Sequence, residues 1–210
     1  MKKRINLLAV SAVFLISCAD IGTPDAVLPI YGHKDLDANG DTIYHTVEDF
    51  AFTNQDGNVV TKEATKGEVY IADYFFTHCP AMCPAMTGQM KRVRKALPEV
   101  TILTHTCDPE NDSVGQLKKY TQKREINTTN WHFLTGSKTE LYDHGFYSYM
   151  MTTNEDVLAP GGFMHSPYFA IVDRSHRLRG MYDGTDTEQV DQLIVDAKKL
   201  IKSYNNEQDR

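Results

Sequence analysis

The sequence predicts an α/β domain: a central mixed sheet flanked by helices, with a hairpin extension on its N-terminal side. Three observations predict it. Segments rich in β-formers alternate with segments of helical periodicity, which implies a sheet with crossover connections. Residues 69–76 form a run of β-formers without polar alternation, the pattern of a strand covered on both faces. The chain also closes with a second hairpin followed by its most regular amphipathic helix.

Residues 49–61 read as the N-terminal hairpin, because Phe50, Phe52, Val59 and Val60 flank Gln55-Asp56-Gly57-Asn58 and Asp-Gly is a strong turn signal. The central strand at 69–76 leads into a Cys-Pro segment, and a helix is expected over 89–97. A strand over 100–106 ends in Cys107-Asp108-Pro109, and Asp112 is placed to cap a helix over 113–124. A short strand at 131–134 precedes a helix over 138–150, with Leu141, Phe146 and Tyr149 as its apolar contacts. A loop containing Pro160-Gly161-Gly162 runs up to His165. Residues 168–172 and 178–182 form the closing hairpin around Asp173-Arg174-Ser175-His176. In the last helix Val190, Leu193, Ile194, Ala197, Leu200 and Ile201 recur at helical spacing. A closing hairpin and helix on such a sheet is the thioredoxin arrangement.

The N-terminal end speaks to compartment. Lys2, Lys3 and Arg4 precede a mostly apolar stretch from Ile5 to Ile16, a signal-peptide pattern too short to span a bilayer. Leu15-Ile16-Ser17-Cys18 resembles a bacterial lipobox, in which Cys18 becomes the lipidated first residue. The expected organisation is a lipoprotein signal peptide over 1–17, a lipidated Cys18 and tether rich in Asp, Gly and Pro over 18–44, and one domain over 45–210. That places the protein outside the cytoplasm, on the periplasmic side of the envelope, held to a membrane by lipid and in a space where thiols can be oxidised. The net charge of −6 gives little support to a nucleic-acid partner.

The chemistry centres on Thr77-His78-Cys79-Pro80-Ala81-Met82-Cys83-Pro84, where the central strand hands over to a helix. Ligands gather at the carboxyl ends of strands in open α/β sheets. Cysteines at i and i+4 share a helix face, so two thiols can converge on one atom. A helix N-terminus favours thiolate, and thiolates are soft ligands that select Cu(I), with room for a histidine nitrogen as a third donor. Three readings of the pair stand side by side: a metal site, a redox dithiol and a structural disulfide. A bridge across so short a loop stabilises little, and thioredoxin-type redox motifs have two intervening residues, not three.

From residue 49 to residue 204 the sequence resembles the Sco/SenC family of copper chaperones. The resemblance rests on residues 50–57 (Phe-Ala-Phe-Thr-Asn-Gln-Asp-Gly), the Cys79–Cys83 motif with its Pro84, residues 107–112 (Cys-Asp-Pro-Glu-Asn-Asp), Leu134-Thr135-Gly136, and His165 shortly before a strand. It implies that Cys79, Cys83 and His165 bind copper, as Cu(I) or Cu(II). It further implies a metallochaperone that delivers copper to, or prepares the cysteines of, the binuclear copper centre of apo cytochrome c oxidase subunit II, with another copper-accepting protein as the other partner it allows. The alternative is an extracytoplasmic thiol–disulfide reductase with Cys79 and Cys83 as its catalytic dithiol. Cys107 departs from the family, which commonly has a small or apolar residue there, as does the Gly-rich approach to His165 with Pro167 after it.

Other residues carry weaker expectations. His78 adjoins Cys79 but starts from a position that points elsewhere. Cys107 follows an apolar strand and is expected to be a buried, slow-reacting thiol. A cis Ser166–Pro167 bond is expected to aim His165 at the cysteines. Met86 and Met90 have core spacing, whereas Met164 can shield a metal or touch a partner. Lys91, Arg92, Arg94 and Lys95 form a basic run, either a solvated helix face or a dock for an acidic partner.

Overall fold

The computed structural model describes residues 28–208 apart from Ala81. β1 (Lys34–Leu36) and β2 (Thr42–Tyr44) pair as a small antiparallel hairpin. Its turn is closed by Asp37, whose carboxylate accepts from the N–H groups of Asn39 and Asp41, and Gly40 supplies a φ of +86°. Tyr31 N–H donates to the Leu178 carbonyl and Val47 N–H to that of His176. Part of the segment expected as tether is therefore seated on the domain.

β3 (Ala51–Asn54) and β4 (Val59–Thr61) form the expected hairpin, with the Asn54 side-chain oxygen accepting from the N–H groups of Asp56 and Asn58. Then follow β5 (Tyr70–Phe75), α1 (Met82–Ala96), β6 (Thr101–Thr106), α2 (Val114–Lys123), β7 (Trp131–Thr135), α3 (Lys138–Tyr149), β8 (Thr153–Glu155), β9 (Phe163–His165), β10 (Tyr168–Val172), β11 (Leu178–Asp183) and α4 (Thr187–Gln208). The main sheet runs β11-β10-β5-β6-β7-β3-β4. β5, β6 and β7 are parallel, and β10, β11, β3 and β4 join antiparallel. The N-terminal hairpin is thus one edge of the sheet, attached through β3 to β7.

Alternation along β5 feeds two apolar layers. Ile71 and Phe75 face Met86, Met90 and Val93 of α1, Leu117 of α2, and Val190, Leu193 and Ala197 of α4. Tyr70, Ala72 and Tyr74 face Phe50, Phe52, Leu141 and Tyr149 on the α3 side. Each such side chain contributes about 1.5–3 kcal/mol by leaving water. Every residue of β5 and of β6 is buried, which is why their sequences lack alternation. Among the described residues both layers are built from residue 28 onward, so residues 28–210 hold the core of the domain.

Three local expectations are revised. The first helix begins at Met82 rather than at residue 89, because Pro84 falls in its first turn, where no intrahelical N–H is required. α2 is capped by Ser113, whose side chain accepts from Gln116 N–H at 3.3 Å, while Asp112 turns inward. On α3, Leu141 and Tyr149 are buried as expected, but Phe146 is 56% exposed. The helix instead approaches the sheet through Gly145, where a Cβ would sit 2.9 Å from the Tyr74 ring.

Candidate metal centre

β5 delivers the chain to the Cys-Pro turn at the edge of the first apolar layer. Cys79 N–H donates to the Phe76 carbonyl at 3.4 Å, tightening the turn before α1. Cys83 lies in the first turn of α1, and its N–H donates to the Cys79 sulfur at 3.3 Å. One of the N–H groups that a helix start leaves without an intrahelical partner is thereby satisfied by a side chain. Cys79 precedes α1 by three residues, so it is the turn before the helix, and not the expected helical i, i+4 spacing, that brings it to Cys83.

His165 reaches the same point from the last residue of β9. The Cys83 sulfur and His165 Nε2 are 3.3 Å apart. His165 Nδ1 lies 3.1 Å from the Ser166 carbonyl, which can only accept, so the proton of the neutral ring sits on Nδ1. Nε2 is left as a bare lone pair aimed at Cys83, the tautomer that a metal ligand requires. The ring packs edge-on to Phe76 at 5.9 Å between centroids. Cys83 is fully buried, whereas Cys79 and His165 keep 9% and 7% of their surface, so approach to the site is past those two.

Burial sets the protonation of Cys83. Withdrawal from water pushes its thiol strongly up, and the hydrogen bond with Cys79 adds to this. The sequence expectation that a helix N-terminus would favour thiolate does not hold for Cys83 in the metal-free chain, because desolvation outweighs the helix dipole. Its S–H therefore donates to His165 Nε2. Among the described residues, no group of three His, Cys, Asp or Glu side chains is drawn into a finished metal cage.

β9 is positioned by pairing with β8, where Thr153 lies opposite His165. Ser166 N–H donates to the Thr152 carbonyl at 3.0 Å, and Thr152 N–H to Ser166 Oγ at 3.0 Å. This pairing is the device that aims His165. The Ser166–Pro167 bond is trans, like every described peptide bond, so the expected cis-proline is corrected. The loop between β8 and β9 rests on the motif at Gly161, whose φ is +82° and whose Cβ would fall 2.8 Å from the Phe76 ring and 3.3 Å from Pro80.

Two buried acids lie beneath the site, one tied to the turn and one inside β5, and sequence reasoning missed both. Asp112 is fully buried; its carboxylate accepts from Thr77 N–H at 3.0 Å, from Thr106 Oγ1 at 2.6 Å and from the Thr77 hydroxyl. It pins the residue two before Cys79 to the end of β6. Asp73 lies inside β5, 3% exposed, and accepts from Thr104 Oγ1 at 2.6 Å. Burial raises its carboxyl to about 7, against the opposing pull of the Thr104 hydroxyl. The signal for Asp73 was available: it is the one acid in a run assigned to a strand covered on both faces.

With this geometry in hand, the chain can be set beside known proteins. A family model described as SCO1/SenC matches residues 39–202. The chain belongs to the SCO1/SenC family. A SCO1 protein homolog of Bacillus subtilis (strain 168) is 35% identical over 166 residues, covering 75% of this chain and 84% of that protein. The crystal structure of a SCO1/SenC family lipoprotein from Bacillus anthracis str. Ames is 30% identical with a TM-score of 0.69, over 74% of this chain and 95% of that one. BsSco, described as having a disulfide switch and as a member of the Sco family of cytochrome c oxidase assembly proteins, is 34% identical with a TM-score of 0.67, over 74% and 93%. The sheet and helices described above are the thioredoxin-like fold of this family.

Within this Sco-type fold, the remaining sequence candidates separate. His78 is exposed, with Nδ1 3.1 Å from Thr77 Oγ1 rather than turned to the sulfurs. Cys107 is fully buried at the end of β6, as expected. Its N–H donates to the Phe75 carbonyl at 2.9 Å, its carbonyl accepts from Tyr142, and burial pushes its thiol up. Met86 and Met90 are core, and strand alternation turns Met164 outward, 56% exposed beside His165. Cys18 lies outside the described residues; among those described, no helix is long and apolar enough to cross a membrane.

Proposed function

We propose that this protein is a copper metallochaperone that holds one copper ion through Cys79, Cys83 and His165. The observation that carries the reading is the 3.3 Å contact between the Cys83 sulfur and His165 Nε2, with Nδ1 turned to the Ser166 carbonyl. A metal with bonds of about 2.3 Å to sulfur and about 2.0 Å to nitrogen separates those atoms by about 3.6–3.8 Å, so the pair opens by only about half an ångström to admit it. The ion takes the place of the proton shared across the contact. Cys79, in contact with the Cys83 N–H, supplies the second sulfur by a side-chain rotation. Two thiolates and one imidazole form a soft, incomplete shell that favours copper and can release it by ligand exchange.

Membership of the SCO1/SenC family supports apo cytochrome c oxidase subunit II as the acceptor. The lipobox-like Cys18 supports an extracytoplasmic chain anchored by lipid, as in the related Bacillus anthracis lipoprotein. A second reading has its own observation, because the cysteines already touch through Cys83 N–H and Cys79 sulfur. As a reductase, the dithiol would give two electrons and two protons to a partner disulfide and end as a Cys79–Cys83 disulfide.

Anaerobic Cu(I) titration of residues 28–210 against a chromogenic chelator separates the two. One copper per chain is expected. Structural zinc sites gain about 10–16 kcal/mol from four ligands, about 3 kcal/mol each, and on that scale Cys79→Ala, Cys83→Ala or His165→Ala weakens binding at least about 100-fold. His78→Ala leaves it unchanged. Full affinity in His165→Ala, with reductase activity retained, would replace the chaperone reading by the redox one.

A further inference from the structure

The basic run of α1 does not act as one face. Arg92 pairs with Asp191, and Arg94 turns in to donate to the carbonyls of Pro98 and Val100. Lys91 and Lys95 stay exposed, i and i+4 on α1. On α2, Lys118 pairs with Asp56, while Lys119 and Lys123 stay exposed, again i and i+4. Arg124 follows, its guanidinium 4.8 Å over the Tyr120 ring. Among the described residues, none of Lys91, Lys95, Lys119, Lys123 and Arg124 is in an ion pair.

These cations line two adjoining cavities, which meet where α1 and α2 are joined and together make a groove. Thr87 and Tyr120 join α1 to α2 by a hydroxyl–hydroxyl hydrogen bond of 2.8 Å, and Lys91 donates to the Arg124 carbonyl. The upper part is a cavity of about 550 Å³ that begins at Thr77 and His78, immediately before Cys79, and continues past Lys119 to Arg124. A lower cavity of about 360 Å³ contains Lys91 and Lys95, with Glu125 as the one acid in its lining. Like charges at i, i+4 repel by a few tenths of a kcal/mol per pair. The chain carries a net charge of −6, yet the Lys119 and Lys123 pair shares its cavity with Thr77 and His78 and with no acid.

We propose that the groove between α1 and α2 is a docking surface for an acidic segment of the protein that receives the copper, guiding that partner to Cys79 by way of His78. This rests on the copper-transfer reading above. A protein fits better than an anionic membrane for a reason of topology. The carbonyls of Leu28 and Pro29 accept from Arg179 at the start of β11. That end of the sheet lies beside Val172 and Tyr70, the start of β5, whereas the cysteines follow the end of β5. Six residues of strand, about 20 Å, separate the two ends. The N-terminal segment that leads to Cys18 thus joins the domain opposite the head of the groove.

The test uses residues 28–210 and two synthetic acceptor peptides that share a Cys-containing centre, one flanked by glutamates and one by lysines. At low ionic strength the copper-loaded chain should pass Cu(I) to the glutamate peptide about tenfold faster, and the preference should vanish near 1 M salt, where screening acts within about 3 Å. Lys119→Glu with Lys123→Glu should reverse the preference, and the corresponding double Gln variant should roughly halve it on a logarithmic scale. Copper affinity should not change in either variant. Lys198→Glu with Lys202→Glu, an equal charge change on α4, should keep the preference. Equal rates for the two peptides, or the same response in the α4 control, would overturn the proposal. A copper-free arm follows octaglutamate binding by NMR shifts at Lys119 and Lys123, and it decides the groove even if copper binding fails. Binding of these lysines to vesicles with 30% anionic lipid, without binding to octaglutamate, would assign the face to a membrane and refute the protein dock.

Discussion

Replacing Asp73 by asparagine should make the metal-free chain more stable at pH 8 and not at pH 4. The carboxyl is buried within β5, with burial raising it from 3.8 to about 7. In the folded chain it is therefore protonated below about pH 7, whereas in the unfolded chain it ionises above pH 3.8. A carboxyl raised in this way stabilises the fold fully below the unfolded value and loses that contribution as pH rises through the folded one. A difference of about three pH units, at about 1.4 kcal/mol each, amounts to about 4 kcal/mol. Asparagine copies the shape of the neutral acid, and its oxygen still accepts from Thr104, which itself accepts from Trp131 Nε1 at 2.9 Å. Its amide adds N–H groups that need partners, at a cost of about 1–2 kcal/mol. The variant should gain about 2–3 kcal/mol at pH 8 and lose about 1–2 kcal/mol near pH 4. The wild-type profile will not display this directly. Burial pushes His105 down to about 4 and His144 down to about 2, and those rings cost stability as pH falls below 6.5. The difference between variant and wild type isolates Asp73. Urea unfolding of reduced, copper-free residues 28–210 from pH 4 to 8 measures it, and a pH-independent difference would refute the argument.

Gly161→Ala should destabilise the chain by about 2 kcal/mol, from the left-handed backbone and the 2.8 Å approach to Phe76. It should also weaken copper binding several-fold by lifting β9, and a chelator competition that finds wild-type affinity would show that the β8–β9 loop does not hold His165. Pro167→Ala should leave copper affinity within about threefold and stability within about 1 kcal/mol, because the bond is already trans. Brief alkylation of the reduced chain followed by mass spectrometry should label Cys107 at least about 100-fold more slowly than Cys79, with parity only in denaturant. Equal rates in buffer would mean that the β6 end opens readily.

How far the sequence could be read depended on the range over which each feature is decided. The Asp56-Gly57 turn and the periodicity of α4 are local, and both elements lie where their patterns put them. The nearness of Cys79 and Cys83 is local too, although it comes from the turn before α1 and not from helical spacing. The hairpin of β1 and β2 was legible in Asn39-Gly40 but sits within a segment whose composition resembles a linker. The β8–β9 pairing was not legible, because three-residue strands across a Gly-rich loop carry almost no period. For that reason the orientation of His165 was attributed to proline chemistry rather than to a ladder.

Asp73 and Cys83 escape sequence reasoning for a common reason. A run of β-formers averages away a single acid, and a helix N-terminus predicts thiolate only while the sulfur keeps contact with water. Both inferences omit the free energy of removing a charge from water, which in these two places outweighs the local preference. The consequence for the proposed function is specific. Cys83 holds its proton against His165 Nε2 at 3.3 Å until a metal displaces it. Copper binding should therefore release protons, and apparent affinity should rise with pH through the neutral range. A histidine placed to accept that hydrogen bond lets a fully buried thiol remain neutral without leaving a polar atom unsatisfied, and the same lone pair is then ready for the ion.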